Sequence, residues 1–355
     1  MSLANTPLIF DGHNDVLNKL FKRDDKIGAG FAKGYDAHID LPKAKIGGFG
    51  GGFFAIWIPS TETALEDMDE LMRQPVYDLP LPSEIQQEAA ATVALQQAAI
   101  LAHMQADGLL DICTSTDQIR KCLAVGKMAA ILHIEGAEAI DTGFEMLEVL
   151  YRAGLRSLGP VWSRPTAFGH GVPFKFPSTG DVGAGLTNAG KDLVRRCNHL
   201  GIMLDMSHLN EAGFWDVVNI SDTPIVATHS NAHAICPSAR NLTDGQLAAI
   251  KDSDGLVGVN FATAFLRPDG QMREDTSLEL VARHLDHLIE HLGEDRVAFG
   301  SDFDGAMVPA EIKDAGGLTN LRTALRKHGY NEALMARICH ENWLRVLALT
   351  WHEKT

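Results

Sequence analysis

Eight short apolar runs recur along this chain, and most are followed by a segment of helical period. No other feature limits the fold so strongly. The runs lie at residues 8–10, 52–58, 128–134, 157–162, 202–206, 224–227, 256–261 and 296–300. Several are nearly continuous in apolar residues, as strands of a parallel sheet buried on both faces should be. The helical segments carry start signals. Ser83 with Gln86 precedes a helix reaching about Ala106, Thr142 with Glu145 precedes the next, and Thr276 with Glu279 a third. Each pair spells a capping box, in which side chains satisfy orphan N–H groups. Beyond Thr276, a helical period runs through Leu278, Val281, Leu285, Leu288 and Leu292. Asn331 is placed to cap a further helix through Leu334, Met335 and Ile338. The alternation predicts an α/β fold, a (β/α)8 TIM barrel. An open doubly wound sheet is the alternative. No G-x-G-x-x-G follows the first strand, which removes its usual dinucleotide-binding form. The glycine-rich stretch 47–52 lacks G-K-[ST] and precedes a strand, so it reads as a tight turn.

Residues 1–355 contain no repeat, no low-complexity tract and no polar linker, and are expected to form a single domain. The 31 Lys and Arg against 46 Asp and Glu leave a net charge of −15. That balance argues against a nucleic-acid partner, which needs a basic face, and against docking on an anionic membrane. No apolar stretch approaches the ~18 residues of a spanning helix. Residues 1–10 lack a basic leading segment, so no signal peptide is expected. The five Cys form no C-x-x-C pair, read neither as a disulfide framework nor as a Cys-based zinc site, and suit a reducing cytoplasm.

Among the ionisable residues, position is the informative fact. His13 and Asp15, Glu135, His208, His229, and Asp302 with Asp304 sit at or just past the ends of apolar runs. In a barrel, the strand C-termini open on one face, where active sites are built. Polar groups there are costly unless paired or metal-bound. His13 and Asp15 are two apart, so extended backbone aims both at one face. With Glu135, His208 and His229 they make a nitrogen and oxygen donor set. No Lys lies within or at the C-terminal end of a predicted strand, which leaves Glu135 as the bridging candidate. The set predicts two divalent ions, one on His13 and Asp15, the other on His208 and His229, with Glu135 between them. Imidazole and carboxylate without thiolate suit Zn2+, and less tightly Mn2+, Co2+ or Fe2+. Asp302 suits a general acid or base beside activated water, with Asp304 as runner-up. Arg240 follows the sixth strand. Its fork either meets a substrate carboxylate or caps a helix at the surface. His284, His287 and His291 are expected on a solvated stripe, because the leucines take the core side of that helix. His133 shares the inward face of Glu135 and is either a supporting or substrate-facing residue or packed core. His233 stands four residues past His229 and competes as a ligand.

Taken in order, these motifs resemble the renal (membrane) dipeptidase family. The residues are Asp11-Gly12-His13-Asn14-Asp15, Glu135-Gly136, Asp205-x-Ser207-His208, His229-Ser230 through Arg240-Asn241, Gly300-Ser301-Asp302-Phe303-Asp304-Gly305, and Asn342-x-x-Arg345-Val346. The resemblance implies a barrel of the metal-dependent hydrolase type with two zinc ions. His13 and Asp15 match the ligands of one ion, His208 and His229 those of the other, and Glu135 the bridge. Arg240 matches the residue that holds the substrate's terminal carboxylate. Asp302 matches the acid/base that also meets its ammonium. The implied reaction is hydrolysis of dipeptides, L-Xaa-D-Xaa or L-Xaa-L-Xaa, by a water held between the ions. A binuclear hydrolase of another amide, β-lactam or ester is the alternative, and a ligand-binding barrel without catalysis is another. The family tendency suggests a homodimer. The chain departs from the vertebrate members at two positions. Their fourth-strand His is absent from Leu158-Gly159-Pro160-Val161-Trp162, and their carboxylate-binding Tyr lines up with Ala262. Their secretion and lipid-anchor signals and their disulfide cysteines are missing too. Trp162 is therefore expected to wall the side-chain pocket, and His170, between Gly169 and Gly171, to supply the polar contact near the scissile carbonyl.

Overall fold

The computed structural model describes residues 6–60 and 68–353; of residues 1–10, judged above for a signal peptide, the first five lie outside them. Each apolar run holds or overlaps a strand. They are β1 (Ile9–Asn14), β2 (Phe49–Trp57), β3 (Ala129–Glu135), β4 (Leu155–Gly159), β5 (Met203–Leu204), β6 (Val226–Ala227), β7 (Leu256–Val259) and β8 (Val297–Phe299). Strands β1 to β5 pair in chain order and in parallel, and Asp111–Ile112 pairs with the start of β3. Strands β6, β7 and β8 form a second parallel sheet. Single parallel bridges join the two sheets at both seams, Asp205 to Val226 and Asn14 to Phe303. Beside them the Met206 N–H donates to the Val226 carbonyl at 2.8 Å, and the Asp302 N–H to the His13 carbonyl at 3.1 Å. The result is a curled parallel sheet whose strands β1 and β3 are buried throughout. A short antiparallel ribbon, Tyr77–Asp78 with Lys175–Phe176, stands apart from it.

Apolar side chains pack on both sides of this sheet. The outer faces of the strands meet the helices. On the other side Phe10, Phe53, Ile131, Met203, Val226, Leu256 and Ala298 form a cluster with Trp343. The Trp343 indole is fully buried and donates to the Phe299 carbonyl at 3.0 Å. A Cβ on Gly12 would lie 2.4 Å from both Trp343 Cζ2 and the Thr228 carbonyl oxygen. Close approach thus demands glycine between Asp11 and His13.

The helices used below are α1 (Val16–Lys22), α2 (Gln87–Ala106), α3 (Glu145–Arg152), α4 (Asp244–Asp252), α5 (Leu278–Leu292) and α6 (Glu332–Ala336). The expected caps are corrected in three places. Helix α2 starts after Gln86, so Ser83 and Gln86 do not box its first turn. At α3 the Asp141 carboxylate, not Thr142, accepts from the N–H groups of Glu145 and Met146 at 3.1 and 2.8 Å. A carboxylate can take two donors at once, which a hydroxyl does less well. At α5 Ser277 accepts from the Glu279 N–H, while the Thr276 hydroxyl donates back to the Arg273 carbonyl at 2.6 Å. Asn331 caps α6 through the Leu334 N–H at 2.9 Å. Ile338 falls in the wider turn Arg337–Glu341 that follows.

The histidine stripe of α5 is also corrected. His284 is fully buried, accepts from the Ala232 N–H at 3.1 Å and sits 3.0 Å from the Leu266 carbonyl. Burial pushes its pKa down to about 4. Only His287 and His291 stay half-exposed. No helix among the described residues is long and apolar enough to cross a membrane. All five cysteines are free and buried.

Candidate active site

Parallel strands deliver their C-terminal ends to one place, and the predicted donor set meets there. His13 comes from β1, Asp15 follows it, Glu135 ends β3, and His208 and His229 follow β5 and β6. Glu135 Oε1 lies 3.6 Å from His13 Nε2, 3.1 Å from His208 Nε2 and 3.2 Å from His229 Nε2. Asp15 Oδ2 is 3.4 Å from His13 Nε2. The donor atoms of His13, Asp15 and Glu135 form one compact group, and those of Glu135, His208 and His229 another. All five side chains are buried. His208 holds a left-handed backbone at φ 70°, as do Asp302 at 59° and Asp304 at 68°. Such residues cost of order 1–3 kcal/mol each and persist only where their surroundings fix them.

The lone pair this arrangement offers a cation is clearest at His229. The Thr228 hydroxyl donates its one hydrogen to Asp205 Oδ2 at 2.5 Å. Its contact with His229 Nδ1, at 2.7 Å, must therefore be a bond it accepts. That puts the His229 proton on Nδ1 and leaves a lone pair on Nε2, which faces a Glu135 oxygen and His208 Nε2, each at 3.2 Å. Burial holds His229 well below the usual imidazole range, so it is neutral. Lone pairs in contact at a dry site repel unless a shared proton, on Glu135 or His208, or a metal ion lies between them. The His208 Nδ1 is in contact with Ser163 Oγ at 2.8 Å. Neither ring nitrogen of His13 has a hydrogen-bond partner among the described residues. Burial opposes a charge on His13, yet Glu135, Asp15 and Asp302 lift its pKa to about 10. A proton on His13 partly balances the carboxylates, and a metal ion would displace it. Burial also pushes Glu135 well above the usual carboxylate range.

A cavity of about 410 Å3 opens over this cluster. Asp302 lines it. Burial raises the Asp302 pKa, and the Asn260 side-chain N–H holds its Oδ2 at 2.9 Å. Asp304 also lines it but is occupied by the His38 and Ile39 N–H groups. Trp162 walls the cavity, packed edge-on against Trp57 at 5.1 Å, with Phe174 and Phe265 nearby. Arg240 is buried behind that wall, 5.3 Å from the Phe265 ring, beside a smaller hollow it shares with His208 and Ser230. Its guanidinium reaches only the His229 carbonyl at 3.1 Å and Ser230 Oγ at 3.5 Å, and its Nε has no partner among the described residues.

The remaining sequence candidates fall elsewhere. His170 is half-buried and is not part of the cavity wall. Its neighbour Gly171 bridges to Leu209, and its own carbonyl accepts from the Asn210 N–H, which ties this loop to the segment after β5. His233 contacts the Ser178 carbonyl at 2.8 Å and stands apart from the donor cluster. His133 lies beneath the site, 2.9 Å from Ser157 Oγ and 3.7 Å from Asp205 Oδ2. Sequence reasoning missed Thr228 and Ser163 as partners of the imidazoles; a hydroxyl residue next to His229 was the signal for the first. It also missed Arg164, whose ion pair with Glu138 at 2.7 Å is fully buried. The Arg164 guanidinium also donates to Ser60 Oγ and the Ile58 carbonyl, so it knits three loops around the cavity.

The chain is similar to several known proteins. It is 52% identical to a metallo peptidase from Rhodobacter sphaeroides, solved with a phosphinate mimic of the dipeptide L-Ala-D-Ala. That match has a TM-score of 0.95 and covers 98% of this chain and 100% of the other. It is 45% identical to the uncharacterized protein of the PQQ-III 3′ region of Acinetobacter calcoaceticus, over 80% of this chain and 90% of that one. Dipeptidase tcpJ of Claviceps purpurea is 25% identical over 95% of this chain and 76% of its own length. The family model of the membrane dipeptidases matches residues 2–353, and the chain therefore belongs to that family of metallo-dipeptidases, peptidase family M19.

Proposed function

We propose that this member of the family hydrolyses free dipeptides, including L-Xaa-D-Xaa, with two zinc ions. His13 and Asp15 would hold one ion, His208 and His229 the other, and Glu135 both. The observation that carries this reading is the convergence of five buried donor side chains in two compact groups that share Glu135, with the His229 Nε2 lone pair turned into one of them. Bound there, the ions would supply Lewis acidity for the peptide carbonyl and bring the pKa of water toward ~7. Asp302 is the general base and then the acid: it takes a proton from the attacking water and passes it to the leaving amine. Asn260 fixes its orientation. Arg240 receives the substrate's terminal carboxylate, and Trp162 shapes the side-chain pocket. Neither Arg240 nor His170 lines the cavity itself; Arg240 is kept because its buried Nε is unpartnered among the described residues beside the hollow it shares with His208, and no such observation supports His170. A cavity of about 410 Å3 is near the lower end of small-molecule sites, ~300–1,000 Å3, and suits two residues rather than a long chain. The dipeptide mimic bound by the Rhodobacter sphaeroides relative agrees with that size.

In the same reading the eight strands close into one (β/α)8 barrel that makes a single domain of the chain, supported by the bridges at both seams. Five buried free thiols suit a reducing cytoplasm. The oligomer is proposed as a homodimer on family tendency alone. The test is turnover of zinc-loaded enzyme on L-Ala-D-Ala, L-Ala-L-Ala, a C-terminally amidated dipeptide, a β-lactam and an ester. Free dipeptides should be turned over fastest. Preference for the lactam or the ester, or no turnover of any of them, contradicts the proposal.

A further inference from the structure

Away from the cavity, α5 and α4 bring a second group of metal-ligating side chains together. His287 and His291 stand one helical turn apart on α5, and their rings stack at 4.4 Å between centroids. Asp244 opens α4 opposite them. Its Oδ1 lies 2.9 Å from His287 Nε2 and 3.9 Å from His291 Nε2. One ligand atom from each residue falls within 4.8 Å of the other two. We infer that Asp244, His287 and His291 form a binding site for one divalent transition-metal cation, outside the catalytic cavity, that clips α4 to α5.

Three observations support this. First, the spacing suits a metal. Bonds of ~2.0–2.1 Å in a tetrahedral centre put ligand atoms ~3.3–3.4 Å apart. The two carboxylate–imidazole distances, 2.9 and 3.9 Å, straddle that value and lie about half an ångström either side of it. Second, the capping of α4 does not use the Asp244 side chain. The first turn of α4 is already closed by the reciprocal capping box of Thr243 and Gln246. Third, His291 lies in the last turn of α5, where the helix dipole favours a cation. Two imidazoles and one carboxylate select Cu2+, Ni2+ and Zn2+ over Mg2+ or Ca2+. The three side chains are partly exposed, at 19%, 32% and 52%, so the ion reaches them from solvent and keeps water on its remaining positions.

The test uses the untagged, full-length enzyme with its catalytic centre already zinc-loaded. Wild type and the His287→Ala/His291→Ala pair are dialysed side by side against graded free Zn2+, and bound zinc per chain is measured. Wild type should bind one zinc more than the variant. Its Tm should rise with added Zn2+ while that of the variant does not, because the ion binds only the folded state. Dipeptide kcat/KM should be the same in both proteins, since none of the three residues lines the cavity. Asp244→Asn, which keeps both rings, should weaken Zn2+ at least tenfold. Equal zinc in wild type and variant, or equal rises in Tm with added Zn2+, overturns the site. The comparison is a difference of one ion, so it does not depend on how many ions the catalytic centre holds.

Discussion

Thr228→Val is the sharpest perturbation of the proposed metal cluster. The two side chains have nearly the same shape, and only the hydroxyl is lost. In this fold that hydroxyl donates to Asp205 Oδ2 at 2.5 Å and accepts from His229 Nδ1 at 2.7 Å. With Val, His229 is free to carry its proton on Nε2, the nitrogen needed as a ligand. The nearest carboxylate oxygen that could hold Nδ1–H is Asp205 Oδ2 at 3.9 Å, too far for a hydrogen bond. Removing such a supporting partner typically lowers metal affinity 10–100-fold, about 1.4–2.7 kcal/mol. The assay is a competition between enzyme and a soluble chelator, with zinc per chain measured at each chelator concentration. Thr228→Val should lose the weaker-held ion at 10–100-fold lower chelator, and excess zinc should restore most of kcat. Thr228→Ser keeps the hydroxyl and should stay within about threefold of wild type. Equal zinc retention in wild type and Thr228→Val, with both folded, would refute the assignment of the His229 lone pair.

Three other outcomes are expected. Arg240→Ala should cost free dipeptides about 2–5 kcal/mol in kcat/KM, the loss of a buried charged partner, and should spare zinc content. A C-terminally amidated substrate should lose much less, so an equal loss on both would count against carboxylate recognition. Arg164→Met should destabilise the fold by about 3–5 kcal/mol in denaturant unfolding, because Glu138 is left buried and unpaired. The Arg164→Met/Glu138→Gln pair should recover much of that, and no recovery would show that the charge is not the cause. The buried His284 carries a pH effect whose sign is fixed by its pKa, about 4 folded against 6.5 unfolded. The unfolded chain binds the extra proton, so this contribution to stability is full above pH 6.5 and is lost as pH falls toward 4. Between pH 7 and pH 5 that loss is about 2 kcal/mol. His284→Gln should flatten the pH dependence of unfolding by about that amount, and an unchanged slope would contradict the burial argument.

The strand ends were legible in the sequence because nothing else accounts for His and carboxylate closing apolar runs. The runs at residues 128–134 and 256–261 overlap β3 and β7, and the donor set of His13, Asp15, Glu135, His208 and His229 meets in space. What misled was polarity weighed against period. His284 is three residues past Val281 and four before Leu288, which puts it on the buried face of α5. Two backbone groups far away in sequence, at Ala232 and Leu266, make that burial affordable. Caps shifted by one residue for a similar reason: Asp141 and Ser277 compete with Thr142 and Thr276 for the same N–H groups, and only the path of the chain decides. The pairing of Arg164 with Glu138 spans 26 residues and three loops, and no local pattern announces it. Thr228 was hidden in a different way. Its position beside His229 was visible, but its role depends on Asp205 standing across the seam between β5 and β6.

Anomalous scattering at the zinc edge, from crystals of the active zinc-loaded enzyme, tests the central claim most directly, because it locates ions as well as counting them. Two peaks should lie against Glu135, one also touching His13 and Asp15, the other His208 and His229, and Glu135→Gln should weaken both. A single peak at Glu135, or none, would contradict the two-ion account.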